Sequence, residues 1–321
     1  MPPVTEAPEV TVVVPTRDRW PLLASNALPS ALRQEDVVIE VVVVDDGSTD
    51  GTATALGGLG DPRVRLIRHE RSRGVAAARN AGIGAARAPW VAFLDDDDLW
   101  SPRKLRAQVD RAAETGADVV YAAAVLVDEE RRVLASDVFP SPEDLRVRLI
   151  HGNLVPGGCS SVLARTSLLR ELGGFDERLS YTEDWELWLR LVRRGEVAAC
   201  AEVLVAHVEH AGNALFRYGP DVVRESEYVV AKHGGDTSRD ARSRRRRGIL
   251  EWTAAEYRRA GRTRQAARVS LSLALERRSL RPALRAVFDL FGSRARAPLA
   301  RLRSSTAVAQ PPQPPWLARF R

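Results

Sequence analysis

The chain has 321 residues, 45% of them hydrophobic, with two cysteines, Cys159 and Cys200; this is ample for a sizeable core and gives no basis for a disulfide framework. The net charge of +6 is unevenly spread: residues 1–240 carry 28 Lys/Arg against 38 Asp/Glu, and residues 241–321 carry 20 Arg against 4 Asp/Glu. No apolar run approaches the roughly 18–20 residues that span a bilayer, and the opening MPPVTEAPEV lacks the basic start and apolar stretch of a secretory signal, so a cytoplasmic setting with at most peripheral membrane contact is expected.

Val10–Val14 is a β-branched run stopped by Pro15, which reads as a buried strand and a loop. Residues 20–34 have helical spacing. Val37–Val44 is a second apolar strand, ending abruptly at Asp45, Asp46, Gly47 and Ser48. A short helix over 50–59 and a strand over Val64–Ile67 follow, then an Ala-rich helix over 74–87. Trp90–Leu94 is a fourth strand and runs straight into Asp95, Asp96, Asp97 and Asp98. A helix over 102–115 and a strand over 118–127 continue the alternation. Beyond them come a strand within Val155–Ala164, an amphipathic helix over Glu183–Arg194 and a strand over Val197–Val205. Helices at 249–260 and 263–278, separated by Gly261, form an expected hairpin, and 307–315 is rich in Pro and Gln.

Strands alternating with helical patterns predict a mostly parallel sheet flanked by helices. The strands are apolar on both faces, as in a covered sheet. Ligands in such sheets sit beyond the carboxyl ends of the strands. Three of the first four strands end there in polar or acidic residues: Thr16 to Asp18, Asp45 and Asp46, and Asp95 to Asp98.

Four adjacent carboxylates repel one another and cost stability unless a cation or hydrogen-bond donors face them. Hard divalent ions accept such ligands, and Mg²⁺ commonly takes one or two carboxylates plus substrate phosphates. In turn geometry Asp95 and Asp97 can point the same way. The bland alternative is an acidic surface loop in which Asp98 caps a helix. Asp45 to Ser48 has an equally bland reading as a turn, and Glu183 and Asp184 one as helix capping favoured by the dipole.

Five segments, VVVPTRDR, VVVVDDGSTDGT, GVAAARNAGIGAA, FLDDDDLW and GGFDERLSYTEDWELWLRL, taken in this order and spacing, resemble the family 2 glycosyltransferases. The resemblance covers roughly residues 10–212. It implies a GT-A fold, a Rossmann-like mostly parallel sheet flanked by helices; the helical pattern from about residue 220 adds a C-terminal helical extension. It also implies an inverting transfer from a nucleoside-diphosphate sugar, UDP- or dTDP-linked, to an acceptor hydroxyl. Carried over residue by residue, Pro15, Thr16 and Asp18 line the nucleoside pocket. Asp46 accepts a hydrogen bond from the base, and Asp45 supports its loop. Asn80, with Arg79 beside it, faces the donor. Asp95 and Asp97 match the D-x-D pattern for Mg²⁺ or Mn²⁺, Asp97 foremost, and Asp96 meets the sugar or ribose. Asp184 is the general base. His210 is favoured over His207 as a further metal or diphosphate ligand. Trp185 and Trp188 are expected to face the core, with Trp185 the alternative stacking partner for an acceptor sugar. No GxGxxG or Walker-type loop is present.

The expected organisation is a catalytic domain over 1–218, a basic helical extension over 219–303 and a flexible tail over 304–321. Arg242 and Arg244 to Arg247, followed by helices, can lie on an anionic membrane. A packed hairpin or a homodimer contact is the plainer reading. Nucleic acid fits the charge but lacks a motif. The acceptor is a sugar, a lipid-linked species or a small molecule. Two other functions stay open: a nucleotide-sugar-binding protein without turnover, and an interaction protein acting through its basic tail.

Overall fold

The computed structural model describes residues 6–210, 220–259, 262–277 and 312–320. The chain divides into two compact units, one formed by Met1–Val208 with Pro311–Arg321 and the other by Glu209–Gln310. The expected boundary at 218–219, the break at Gly261 and residues 304–311 of the tail lie outside the described residues.

In the first unit, β1 (Val10–Thr16) leads into a helical segment made of α1 (Trp20–Leu22), a π-helical turn (Leu23–Ala27) and α2 (Leu28–Leu32). β2 (Ile39–Asp45), α3 (Thr52–Gly57), β3 (Val64–Arg68), α4 (Val75–Ala85) and β4 (Trp90–Phe93) complete a βα alternation. Then follow β5 (Leu99–Trp100), α5 (Lys104–Thr115), β6 (Val119–Val127), β7 (Val133–Ser136) and α6 (Pro142–Arg148). β8 (Val162–Arg165), α7 (Thr166–Glu171), α8 (Glu183–Arg194) and β9 (Val197–Val208) finish the sheet.

The nine strands form one sheet in the order β3-β2-β1-β4-β8-β6-β9-β5, with β7 beside β6. Strands β3, β2, β1 and β4 are mutually parallel. Past β4 the sheet is mixed: β8 runs antiparallel to β4 and β6, and β9 parallel to β6. The parallelism read from the βα alternation therefore belongs to the first four strands. It ends where β8 enters the gap between β4 and β6.

Every residue of β1 and β2 is buried. Each fully buried valine contributes on the order of 1.5–3 kcal/mol relative to exposure. α4 lies against this half-sheet so closely that a Cβ on Gly82 would stand 2.3 Å from Val13 Cγ1. The register of β1 against β2 aligns Thr16 with Asp45, and that of β1 against β4 puts Val13 beside Phe93. Asp45 and Asp95 thus emerge at one edge of the sheet, on either side of Thr16.

The expected flexible tail is corrected over its described part. Pro315–Phe320 is a 3-10 turn in the first unit. Leu317 is fully buried in a cluster with Leu99, Val125, Val127, Val133, Ala206 and Val208. An apolar Trp-Leu pair placed beside an uncovered edge of valines docks for the same reason any core forms.

The second unit contains α9 (Pro220–Lys232), α10 (Arg239–Arg259) and α11 (Thr263–Arg277). α10 and α11 pack through Tyr257, Ala266 and Val269. The basic run Arg242 to Arg247 lies inside α10 rather than ahead of the helices. Among the described residues no helix is long and apolar enough to cross a membrane.

Candidate active site

At the end of β4 the chain turns back on itself, with Asp98 N donating to Asp95 O at 3.1 Å. Two arginines and a histidine face the four carboxylates. Arg19 Nη1 lies 2.8 Å from Asp96 Oδ1, and Nη2 3.0 Å from Asp97 Oδ2. Asp96 also accepts from Thr16 Oγ1 at 2.8 Å. Asp95 turns elsewhere, to Arg79 Nη2 at 2.6 Å. Asp95 and Asp97, expected to act side by side, are thus held by different arginines. Asp98 is fully buried, accepts from Ser160 Oγ and lies 3.4 Å from His207 Nδ1.

Burial and the neighbouring Asp97 push the Asp96 carboxyl up to about 7, against the pull of Arg19 and Thr16. His207 is the reverse case: burial disfavours its charge, but Asp98 outweighs burial and pushes the imidazole up to about 10. His207 and Asp98 therefore form an ion pair beneath the turn. His207 is the histidine that the first unit brings to the aspartates, whereas His210, the one favoured from sequence, belongs to the second unit.

Arg79 joins the turn to α8. Its guanidinium is buried, bonds Glu183 Oε1 at 2.8 Å as well as Asp95, and lies over the Phe175 ring at 5.4 Å. Glu183 and Asp184 open α8, where the helix dipole favours carboxylates. Asp184 Oδ1 accepts from the Trp185 amide at 2.6 Å, and Oδ2 from Asn153 Nδ2 at 2.8 Å. Burial, then the adjacent Glu183, raise its carboxyl to about 7 against Arg79. A bond to a first-turn amide and a perturbed acid thus coexist in one residue. Trp185 and Trp188 are buried, and Trp185 Nε1 donates to Leu149 O at 2.6 Å, so neither offers a face to an acceptor.

At the end of β2 the two aspartates have different surroundings. Asp46 accepts from His69 Nδ1 (2.7 Å), Ser72 Oγ (2.6 Å), Arg73 N (2.9 Å) and Gly74 N (2.9 Å). A carboxylate has about four lone-pair sites, so the chain itself uses them. Burial alone would raise its pKa, but these bonds hold Asp46 below its ordinary range. Gly47, at φ +77°, permits this approach: a Cβ there would stand 2.8 Å from Ser72 N. Asp45 is fully buried, and its Oδ1 accepts from Ser48 N at 2.8 Å. Its Oδ2 has no hydrogen-bond partner and sees only Arg68 Nε at 3.6 Å. The unpartnered acceptor at this strand end is thus a buried oxygen of Asp45.

The remaining candidates are knitted to this edge. Pro15 is the buried sixth residue of β1. Asp18, at φ +50°, accepts from Thr49 N at 2.6 Å, and its own amide donates to Ser48 Oγ. Asn80 does not face outward for a donor. Its Nδ2 donates to Phe175 O at 2.9 Å and Glu177 Oε1 at 3.0 Å, and its Oδ1 accepts from Phe175 N. It ties α4 to the loop before α8.

Sequence reasoning missed the roles of Arg19, Ser160, Asn153 and the His207–Asp98 pair. One signal was present for the arginine: four adjacent acids at a strand end require cations, and VVVPTRDR supplies two at the end of the neighbouring strand.

Known proteins show the same organisation. The family model described as glycosyl transferase family 2 matches residues 11–173. The succinoglycan biosynthesis protein ExoO of Rhizobium meliloti is 48% identical over 118 residues, 37% of this chain and 34% of that protein. An uncharacterized glycosyltransferase of Rickettsia typhi is 30% identical over 214 residues, 64% of this chain and 65% of that one. The chain thus spans less than two thirds of the length of each of these relatives. The UDP-Glc:alpha-D-GlcNAc-diphosphoundecaprenol beta-1,3-glucosyltransferase WfgD of Escherichia coli is 26% identical over 190 residues, 59% of this chain and 72% of that enzyme. Among solved structures, S. aureus TarS 1-349 in complex with UDP-GlcNAc superposes with a TM-score of 0.58 at 19% identity, over 81% of this chain and 79% of that one. That likeness bears on the fold, which is of the GT-A type. With the family model covering just over half its length, the chain belongs to glycosyl transferase family 2.

Proposed function

We propose that the chain is a glycosyltransferase that moves a sugar from a nucleoside-diphosphate donor, UDP- or dTDP-linked, to an acceptor hydroxyl with inversion. The observation that carries this reading is the bridge built by Arg79. One buried guanidinium holds Asp95 of the aspartate turn and Glu183 of the α8 pair, so the candidate donor side and the candidate base share one charge network.

Asp45, whose buried Oδ2 lacks a hydrogen-bond partner, is the acceptor for a ring N–H of the base once the ligand reaches it. Pro15, Thr16 and Asp18 form the nucleoside side of the pocket, and Asp96, bonded to Thr16, lies toward the ribose. Asp184 takes the proton of the attacking hydroxyl. A base with a pKa of about 7 is half-deprotonated near neutrality and still basic enough to remove that proton. The acceptor oxygen then bonds to the anomeric carbon as the bond to the diphosphate oxygen breaks. With the base on the acceptor side, the displacement is single and the configuration inverts.

Six carboxyl groups, Asp95 to Asp98 with Glu183 and Asp184, are balanced in this network by three cationic side chains, Arg19, Arg79 and His207. That surplus of negative charge fits a divalent cation. Among the described residues no group of three acidic, His or Cys side chains is gathered to hold one. Mg²⁺ or Mn²⁺ would be held by Asp97 and Asp95 once their pairs with Arg19 and Arg79 open, with the donor diphosphate completing the ligand set. When bound, such an ion supplies Lewis-acid stabilisation of the leaving diphosphate.

The printed name of WfgD gives that enzyme a lipid-diphosphate acceptor. A lipid-linked acceptor is the reading we favour here, with the arginines of α10 against an anionic membrane surface. The test is release of nucleoside diphosphate from a panel of UDP- and dTDP-sugars, with Mn²⁺ or with chelator, and NMR of the product's anomeric configuration. Metal-dependent release from one donor class with inversion is expected. Release unaffected by chelator, or retention, contradicts the assignment.

A further inference from the structure

The aspartate turn is held from behind by a chain of hydrogen bonds that reaches the C-terminal segment. Asn26 sits in the π-helical turn after β1 and is 1% exposed. Its Nδ2 donates to the backbone carbonyl of Asp97 at 2.8 Å. Its Oδ1 accepts from Arg131 Nη2 at 2.6 Å. Arg131 lies in the turn between β6 and β7 at φ +65°, a left-handed conformation that costs a non-glycine residue on the order of 1 kcal/mol and persists only where surroundings impose it. Its carbonyl accepts from Gln313 Nε2 at 3.0 Å. Gln313 is anchored in turn: two residues on, the 3-10 turn buries Leu317 beside Leu99, and Trp316 Nε1 donates to Val203 O at 2.9 Å.

Each link has a physical reason to be stiff. A buried Asn satisfied on both ends of its amide has one orientation. π-helical turns widen a helix by one residue and recur at functional sites; here the turn carries Asn26 to the Asp97 carbonyl. The strained Arg131 is pinned on one side by Asn26 and on the other by Gln313. Leu99, which the C-terminal segment covers, directly follows Asp98.

We propose that Asn26 and Arg131 are positioning residues for Asp97, and that the docked segment 312–320 is a strap that locks them. The proposal rests on the reading of Asp97 as the metal–diphosphate residue. It goes beyond that reading by making nucleotide affinity depend on a segment some 215 residues downstream.

The experiment titrates UDP with Mn²⁺ by calorimetry into the full chain and its variants, and follows each melt by circular dichroism. Asn26→Leu, Arg131→Gln and Leu317→Asp are each expected to weaken Mn²⁺–UDP binding about tenfold, as loss of an outer-shell partner commonly does. Arg131→Lys, which keeps a donor for Asn26, is expected to restore most of the affinity. The double variant Arg131→Gln with Leu317→Asp is expected to bind no more weakly than either single, because both cut one chain. If a variant fails to fold, Gln313→Ala tests the same link at the surface. Native affinity in folded Asn26→Leu and Arg131→Gln, while Asp97→Asn binds nothing, overturns the strap and leaves the donor site standing. Additive losses in the double variant overturn the single chain. No Mn²⁺–UDP binding by the wild-type protein overturns the donor reading and the strap with it.

Discussion

Asp46 and Asp96 end strands that flank β1 on either side, yet they are in opposite states. Asp46 is ringed by hydrogen-bond donors, two of them backbone amides, and is held in its ionised form. Asp96 is packed against other carboxylates, with Arg19 as its cation, and its pKa rises to about 7. Two buried aspartates at one sheet edge thus divide into one that builds a loop and one that belongs to a charged site. What separates them is the partner: N–H groups that nothing displaces, against charges that a ligand can rebalance. Asp45 and Asp184 extend the contrast. Each is partly bonded to the backbone, Asp45 keeps an acceptor unpartnered and Asp184 keeps its proton until near neutral pH.

The sharpest way to break this division is through Asp184. Asp184→Asn keeps the shape, loses one of the two bonds its oxygens accept from Trp185 N and Asn153 Nδ2, and removes the base. Transfer is expected to fall about 10²–10⁴-fold with nucleotide affinity unchanged, measured as kcat beside a UDP titration. Wild-type turnover would return Asp184 to the role of a cap.

Arg79→Met comes next. It leaves Glu183 buried, and Asp95 half-buried, without their shared cation; breaking a buried pair from one side costs about 3–5 kcal/mol. A denaturant titration reads it, and a change below about 1 kcal/mol would deny the bridge its place.

The Asp46→Asn change is expected to be smaller and of a different kind. Its amide sets an N–H against the donors of the 69–74 loop, at about 1–3 kcal/mol of stability. Nucleotide affinity should follow the loop, not the charge. Asp45→Asn should do the opposite, lowering affinity with little loss of stability. If the two variants exchanged effects, the assignment of the unpartnered acceptor to Asp45 would be wrong.

The least costly test is pH. A carboxyl raised to about 7 in the folded state, above the ordinary ~3.9, holds its proton more tightly folded than unfolded. The stability tied to Asp96 and Asp184 is therefore full below about pH 4 and is lost as pH rises toward 7. Activity moves the other way, because the base must be deprotonated: kcat/KM is expected to climb through about pH 7. Opposed slopes between pH 5 and 7 sharpen the division; parallel slopes break it.

Much of this was legible in the sequence. The valine runs of β1 and β2, the acids closing β2 and β4 and the amphipathic α8 placed the parallel half of the sheet and the edge where the acids gather. They did so because buried strands and helices carry a period that local residues dictate. Partnership was not legible. Nothing in DD after a valine run says that Asp46 meets His69, Ser72 and two amides while Asp45 Oδ2 stays unpartnered, since those donors lie 23 to 28 residues away. Asn80 looked outward by motif and is turned inward by Phe175 and Glu177, 95 and 97 positions on. The mixed half of the sheet and the docked 312–320 segment were hidden likewise. Both rest on long-range pairing that periodicity does not encode.

The measurement that bears most directly on the central claim is calorimetric titration of UDP and dTDP, with and without Mn²⁺, into wild type, Asp97→Asn and Asp45→Asn. If the aspartate turn and Asp45 are the two ends of one donor site, wild type binds one nucleotide with an affinity that Mn²⁺ raises. Asp97→Asn loses the metal effect, and Asp45→Asn loses affinity with or without metal. Nucleotide binding that neither substitution alters would contradict the account.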